Sequence, residues 1–314
     1  MKVLVTSASR KIPLLHAVAG QLADVDPGAE VVAGDADPRC LAAFAWPAFL
    51  TLPPLDDPAA AGLPAILQRE GITHLVPTRD GELGWIAERS EEFAAHGIAC
   101  LVSRPAAIAR CQDKLAFSET LRDAGLPGIP TSTTLTLAPR QVVKERRGSG
   151  SRGLVLDVDA PAARAAATGL SEPVFQPFVP GAEVSIDAYR ARDGRVIGSV
   201  ARTRDLVIGG ESQVTTTTDP APYAGLVHDV LNVLDVTGHA VLQVIDSPDG
   251  PVVVECNARL GGASTLSLAV GLLSLPWFVR ESRGDDPALF RFEPEPWPRR
   301  LIRVPSDAID DPRP

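Results

Sequence analysis

The sequence predicts an α/β lobe built on a parallel sheet, followed by a β-rich α+β remainder, and three patterns lead to that expectation. Short apolar runs alternate with helix-length amphipathic stretches through the amino-terminal part of the chain. Hairpin-like strands then succeed one another between residues 141 and 256, and glycine or proline breaks punctuate both halves.

In chain order, residues 2–6 read as a strand, 12–22 as a helix, and 31–33, 73–77 and 98–102 as further strands. Such alternation argues for a parallel sheet with helices on both faces. Helical patterns over 63–70 and 83–96 supply crossovers, each ending at a glycine (Gly71, Gly97) as a C-cap does. This lobe ends near Cys111. A helix over 114–124 is stopped by Gly125-Leu126-Pro127, and a Thr/Ser-rich extended stretch over 130–137 leads into Gln141-Val142-Val143-Lys144. Strands follow over 153–158, 174–178, 183–190, 196–202 and 214–218, with a short alanine-rich helix at 160–167. A helix over 221–234 precedes strands 240–245 and 252–256, paired through Ser247-Pro248-Asp249-Gly250. Beyond Gly284 only 300–304 has a strand pattern.

The 314 residues suffice for two or three lobes packed as one unit, and a composition 45% hydrophobic and 22% charged is that of an ordinary globular protein. A net charge of −9 repels polyanions, so neither nucleic acid nor an anionic membrane is an expected partner. The four cysteines form no C-x-x-C pair and no metal-like cluster, and a strand-like Val3-Leu4-Val5 follows Met1-Lys2, so a reduced cytoplasm without a signal peptide is expected. No apolar run approaches the roughly 20 residues of a membrane span.

The sharpest chemical signal is Lys144-Glu145-Arg146-Arg147-Gly148-Ser149-Gly150-Ser151-Arg152-Gly153. Its glycines let backbone N–H groups approach phosphate oxygens while its cations neutralise them; a solvated basic turn is the alternative. No Gly-Lys-Ser/Thr closes it, so it is not a Walker loop. In a strand, Glu255 and Asn257 share a face, and Gln243 lies on the paired strand, a hard-oxygen set suited to Mg²⁺; capping of the following turn is the other reading. Gln176-Pro177-Phe178-Val179, with Glu183 beyond, is an extended segment able to meet an adenine edge and a ribose, or else a simple edge turn. At the first βα turn, Thr6-Ser7-Ala8-Ser9-Arg10-Lys11 lacks G-x-G-x-x-G, which argues against a dinucleotide-binding dehydrogenase. Asp80 and Glu82 form a second pair facing the ligand end of that sheet. The five histidines are scattered and read as packing or surface groups.

Taken in order, Lys114, Lys144 with its glycine loop, residues 176–183, Gln243 and residues 255–262 resemble the ATP-grasp superfamily over nearly the whole chain. The nearer likeness is to small ligases related to the carbamoyl-phosphate synthase large subunit, including the ligase of pyrrolysine biosynthesis. Val5-Thr6-Ser7-Ala8-Ser9-Arg10-Lys11 resembles their T-S-A-G-R-R opening, Pro77-Thr78-Arg79-Asp80-Gly81-Glu82-Leu83 their P-T-x-D-x-E-L, and Gln112-Asp113-Lys114 their D-K. The resemblance implies an ATP-grasp fold: a Rossmann-like pre-ATP-grasp lobe over 1–111, a lid over 112–180 and a carboxy-terminal lobe with the Mg²⁺ site over 181–314. It implies ATP contacts from Lys114, Lys144, Gly148, Ser149, Gly150, Gln176, Pro177, Phe178, Val179, Glu183, Gln243 and Glu255, and Mg²⁺ ligands Gln243, Glu255 and Asn257. Arg259, Lys144 and Arg202 become the expected catalytic residues. Arg10, Asp80, Glu82, Arg202, Arg204, Glu211, Ser212, Arg259, Gly261 and Gly262 are the expected substrate contacts.

Three departures stand out: Gln176 where many relatives have Glu, Ser9 where many have Gly, and a segment between Thr136 and Val143 too short for the helix most relatives carry there. The expected activity is ATP-dependent joining of a small carboxylic or amino acid to an amine through an acyl phosphate. A phosphotransferase, a carbamate-forming enzyme or a non-catalytic ATP-binding regulator are the alternatives; the sequence is silent on assembly, and a homodimer is the commonest outcome among soluble oligomers.

Overall fold

The computed structural model describes residues 1–148, 150, 153–296, 298–305 and 307. Strands β1 (Lys2–Val5), β2 (Glu30–Asp35), β3 (Phe49–Thr51), β4 (His74–Val76) and β5 (Ala99–Cys100) form a parallel sheet in the order β3-β2-β1-β4-β5. Val3, Leu4 and Val5 are all buried, as an uninterrupted apolar run must be in a parallel sheet covered on both faces. The chain leaves β1 for β2 and β3 on one side, then returns to β4 on the other. The crevice at the carboxyl ends of β1 and β4 is therefore a topological switch point, where ligands of open α/β sheets bind.

Helices α1 (Ile12–Ala23), α2 (Leu41–Ala45), α3 (Leu63–Arg69), α4 (Asp80–Glu88), α5 (Ser90–Ala95), α6 (Pro105–Gln112) and α7 (Lys114–Asp123) cover and extend this sheet. The single helix expected over 83–96 is two, because Arg89 leaves helical geometry (φ −109°, ψ 13°) and places its guanidinium over the Trp85 ring at 4.2 Å. The apolar period runs through Leu83, Ile86, Ala87 and Phe93 regardless, so the pattern hid the break. Helices α2 and α6 and strand β3 were not expected.

Strands β6 (Gln141–Glu145), β7 (Val155–Val158) and β8 (Pro173–Pro177), with helix α8 (Ala160–Ala167), make a small antiparallel sheet in the order β7-β6-β8. Among the described residues its buried cluster is small, Val143, Ala163 and Phe175, with Leu135, Val158, Ala166, Ala167 and Leu170 packed against it. The shortened link before β6 is organised by the fully buried amide of Gln141. Its oxygen accepts from the Thr136 hydroxyl at 2.9 Å, and its nitrogen donates to the Ala138 carbonyl at 2.5 Å. Gln141→Ala should cost about 1–3 kcal/mol locally by leaving these groups unpaired, read as faster amide exchange across residues 136–145 with the rest of the chain unchanged.

The largest sheet is antiparallel and comprises β9 (Ala182–Arg190), β10 (Val196–Ile208), β11 (Glu211–Thr218), β12 (Gly238–Ser247), β13 (Gly250–Asn257) and β14 (Arg300–Ile302), in the order β13-β12-β9-β10-β11-β14. Strands β10 and β11 run longer than expected and meet at Gly209-Gly210, whose φ values of +58° and +79° build the two-residue turn. Helix α9 (Ala224–Leu234) buries Val227, Val230, Leu231 and Leu234 against one sheet face. Residues 221–223, expected as its first turn, are a 3₁₀ segment instead. Helices α10 (Ser264–Ala269) and α11 (Ser274–Ser282) cover the other face; neither was expected. One core runs from Val3, Leu15 and Leu22 to Leu260, Leu268, Trp277 and Phe278, and the buried Gln21 amide donates to the Leu268 and Leu272 carbonyls at 3.0 and 2.9 Å. The first lobe and the large sheet are thus one packed body. Among the described residues no helix is long and apolar enough to cross a membrane.

Candidate functional site

Strand register lays the site out in rows. Thr217, Arg202, Ser185, Gln243 and Glu255 stand opposite one another on adjacent strands and share one face of the large sheet. Val200, Asp187, Val241 and Asn257 form the next row. The Ser247–Gly250 turn fixes this register, and one extra residue in β13 beside Val244 leaves Gln243 facing Glu255. The Asn257 amide donates to Glu255 Oε1 at 3.0 Å, so the carboxylate and both amides lie together as the two-residue period requires.

Lys144 enters the same space from β6. It is buried, and burial pulls its pKa down to about 8; Glu255 and Glu183 oppose that shift and Lys114 adds to it. Burial also lowers Lys114, again against Glu255 first. Two ammonium groups therefore face one carboxylate. Lys114 opens α7 and donates to the Gly148 carbonyl at 3.0 Å, tying that helix to the glycine loop. Asp113 caps α7 through Leu115 N and Ala116 N and accepts from Arg146 Nε at 2.8 Å and Arg147 Nη2 at 2.6 Å. These two loop arginines are thus bound to Asp113, where the sequence had suggested cations free for phosphate. Gly150 has φ +71°, a conformation suited to glycine; Ser149 lies outside the described residues.

Gln176 is buried and donates to the Thr131 hydroxyl at 2.7 Å, and Phe178 N donates to the Arg140 carbonyl, leaving Pro177, Phe178 and Val179 half-buried at the edge of the small sheet. Glu183 accepts from Arg204 Nη1 at 2.5 Å; the same guanidinium reaches the Gly210 carbonyl and the Ser212 hydroxyl. Glu211 pairs with Arg303, whose guanidinium also stands where a Cβ on Gly262 would lie.

At the switch point, Ser7 (φ +50°) and Ser9 (φ +28°) hold the first loop in left-handed backbone, at the second position where relatives favour glycine. Arg10 is exposed. Both oxygens of the buried Glu82 are engaged: Oε1 accepts from Thr78 N and Arg79 N, and Oε2 from the Ser7 hydroxyl. Glu82 closes the first turn of α4, which leaves it in a structural role where a substrate contact was expected. Asp80 instead receives Arg259 in a two-point pair, Nε to Oδ1 at 2.8 Å and Nη2 to Oδ2 at 2.5 Å.

Arg202 was expected to meet substrate, and it is buried on Asp187 with Nε at 2.7 Å from Oδ2. Asp187 also accepts from the Ser267 and Ser264 hydroxyls and lies 3.1 Å from His239 Nε2. Burial alone would raise this carboxyl, but Arg202, His239 and Ser264 together hold it well below the usual carboxylate range. Ser264 in turn accepts from Gly261 N at 2.8 Å, so the cluster reaches the loop after Asn257.

Sequence reasoning passed over Asp187 and Lys11. Lys11 Nζ donates to the Thr78 carbonyl and hydroxyl at 2.9 and 2.7 Å, and burial draws its pKa down to about 8 beside Glu82, Arg259 and Asp80. Its place in the first loop was the available signal. Among the described residues no three His, Cys, Asp or Glu side chains cluster as a metal site; the Gln243–Glu255–Asn257 set has one carboxylate and two amides.

This arrangement of parallel sheet, small antiparallel sheet and large antiparallel sheet is the ATP-grasp fold. Residues 170–295 match the family model described as ATP-grasp in the biosynthetic pathway with Ter operon, a span that holds Gln176, Glu183, Gln243, Glu255, Asn257 and Arg259. Among solved structures, the biotin carboxylase domain of Hydrogenobacter thermophilus 2-oxoglutarate carboxylase, solved with MgADP, ADP and bicarbonate, superposes with a TM-score of 0.71 at 18% identity, over 93% of this chain and 72% of that one. An L-amino acid ligase from Bacillus licheniformis gives 0.70 at 15% identity, over 93% and 77%. N5-carboxyaminoimidazole ribonucleotide synthetase from Thermus thermophilus gives 0.65 at 18%, over 89% and 77%. No curated protein sequence matches the chain.

Proposed function

We propose that the chain is an ATP- and Mg²⁺-dependent ligase that activates a small carboxylic or amino acid as an acyl phosphate and passes it to an amine. The observation that carries this reading is convergence: Lys114 and Lys144 face Glu255, which stands in one row with Gln243 and beside Asn257, while Arg259 extends from the same strand end to the switch-point crevice. One carboxylate with neutral oxygens is a set that fits Mg²⁺, which completes its shell with phosphate oxygens and water. When bound, the ion would neutralise charge on the phosphate oxygens.

In this reading, residues 1–111 supply the acceptor-side crevice, 112–180 the lid and 181–314 the metal face. Lys114, Lys144 and the backbone of Gly148, Ser149 and Gly150 hold phosphates, residues 176–179 the adenine, and Glu183 the ribose once Arg204 releases it. A carboxylate oxygen attacks the γ-phosphorus and ADP leaves. The amine nitrogen then attacks the acyl carbon, the carbon–oxygen bond to phosphate breaks, and the amine proton is lost. Arg259 stabilises the charge on the travelling phosphoryl group. Arg204, Ser212 and Glu211 line the substrate side, Gly261 and Gly262 shape it, and Arg202 acts from behind that row.

A carbamate-forming enzyme is the second reading, favoured by the bicarbonate in the Hydrogenobacter structure. With all four cysteines free thiols, the cytoplasm is the proposed location, and a homodimer the proposed assembly. The test is coupled ADP release with Mg²⁺ across amino acids, small carboxylic acids and bicarbonate, followed by product mass. An amide mass is expected; a carbamate would select the second reading, and nucleotide binding without acid-dependent ADP release would point to a non-catalytic regulator.

A further inference from the structure

The Asp80–Arg259 pair joins two lobes at the place where an anionic substrate group would sit. Asp80 is the first residue of α4 at the switch point, and Arg259 follows the metal-face strand β13. Their two-point geometry is the one Arg makes with any carboxylate. The side chains are 20% and 17% exposed, so solvent and solutes reach the pair without the core opening.

The surroundings favour an anion. Lys11 and Lys114 both lie within the field of Asp80, Lys11 from the first loop and Lys114 from the start of α7. Arg79 and Arg259 add to the field around Lys11. Asp80 and Glu82 oppose Lys11, while Glu255, Asp80, Asp113 and Glu145 oppose Lys114; the two oxygens of Glu82 are already occupied by the Ser7 hydroxyl and two backbone N–H groups, and Asp113 is held by Arg146 and Arg147. Of these carboxylates it is Asp80 on which Arg259 closes.

We propose that Asp80 is the resident occupant of an anion seat built by Arg259, Lys11 and Lys114, and that the anionic oxygens of the reacting group enter by displacing it. This rests on the ligase reading above. Displacement frees Arg259 for the incoming group and breaks a link between the amino-terminal lobe and the metal face, so Asp80 sets the threshold for entry. The shared chemistry is a carboxylate or phosphoryl group with two oxygens for the guanidinium fork. A neutral ligand cannot replace Asp80 there without leaving Arg259 only the Leu260 carbonyl and the Asn257 amide oxygen, with no counter-charge.

The test compares wild type with Asp80→Asn, and with Asp80→Ala as a second variant, both checked for an unchanged melting profile. Mg·ADP and the Mg complex of a non-hydrolysable β,γ-imido ATP analogue are titrated calorimetrically. Acetate is titrated by NMR line broadening, alone and on the Mg·ADP complex. Removing the resident charge should raise affinity for the analogue relative to Mg·ADP, or for acetate, by about tenfold. A gain for the analogue alone assigns the seat to the γ-phosphoryl group, and a gain for acetate alone assigns it to the substrate carboxylate. Unchanged or weaker binding of both overturns the proposal. Failure of the wild-type chain to bind Mg·ADP would refute the ligase reading instead, while acetate titrated alone still reports on the seat.

Discussion

Lys144→Met should lower the rate of acid-dependent ADP release by about 10²–10³-fold, the usual loss when one preorganised donor to a developing charge is removed. Methionine keeps the apolar stem that β6 buries and deletes only the ammonium that faces Glu255 and Lys114, so the fold should survive. Glu255→Gln should fail to a similar degree, because it removes the single carboxylate from the Gln243–Glu255–Asn257 set. The lysine also gives a pH signature. Burial lowers its pKa to about 8, so in the free protein the ammonium is in place below that pH and is lost above it. Phosphate favours the charged form. Affinity for Mg·ATP should therefore be flat below about pH 8 and decline as pH rises further, by at most about tenfold per unit. Lys11 is lowered to the same range and Lys114 is lowered as well, and Lys144→Met separates them from Lys144: a pH limb that survives in this variant belongs to Lys11 or Lys114. ADP release within twofold of wild type in either variant would remove that residue from the site.

The juxtaposition of Gln243, Glu255 and Asn257 was legible because its geometry is local. A four-residue turn at Ser247-Pro248-Asp249-Gly250 sets the register of β12 and β13, and the two-residue period then brings Gln243, Glu255 and Asn257 to one side. The amino-terminal sheet was legible for the same reason, since unbroken apolar runs such as Val3-Leu4-Val5 admit few other placements. Helix α10 escaped notice because its six residues are mostly buried and too few to carry a 3.6-residue signal, and α11 because Pro276 stands in its first turn and its charged residues are bunched at its end. Glu82 drew a substrate-contact expectation because a capping carboxylate and a ligand-binding one look alike in sequence. Its role depends on Ser7, a distant hydroxyl that only the fold brings near. Arg202 lies outside a local reading likewise: its partner Asp187 is on the neighbouring strand, and the rest of that cluster, His239, Ser264 and Ser267, comes from two more elements, β12 and α10.

Asp187→Ala should lower global stability by roughly 3–5 kcal/mol, because it strands the buried Arg202 guanidinium without a counter-charge. The carboxyl is fully buried and its folded pKa is depressed, so the stability it confers is present above the ordinary Asp range and is lost as pH falls through its much lower folded value. The wild type should thus keep this contribution down to about pH 4 and lose it progressively below that, and the variant should already be weakened at neutral pH, as read by denaturant titration at several pH values. Asp187→Leu combined with Arg202→Met should recover much of the loss, since removing both charges leaves neither unpaired. A single Asp187→Ala variant as stable as wild type would show that Arg202 finds another partner. A rate defect should outlast the stability rescue in the double variant. Ser264 links Asp187 to the Gly261 amide, and Arg202 shares a row with Gln243 and Glu255, so a neutral core can hold the lobes together yet lacks the charge that fixes the loop after β13.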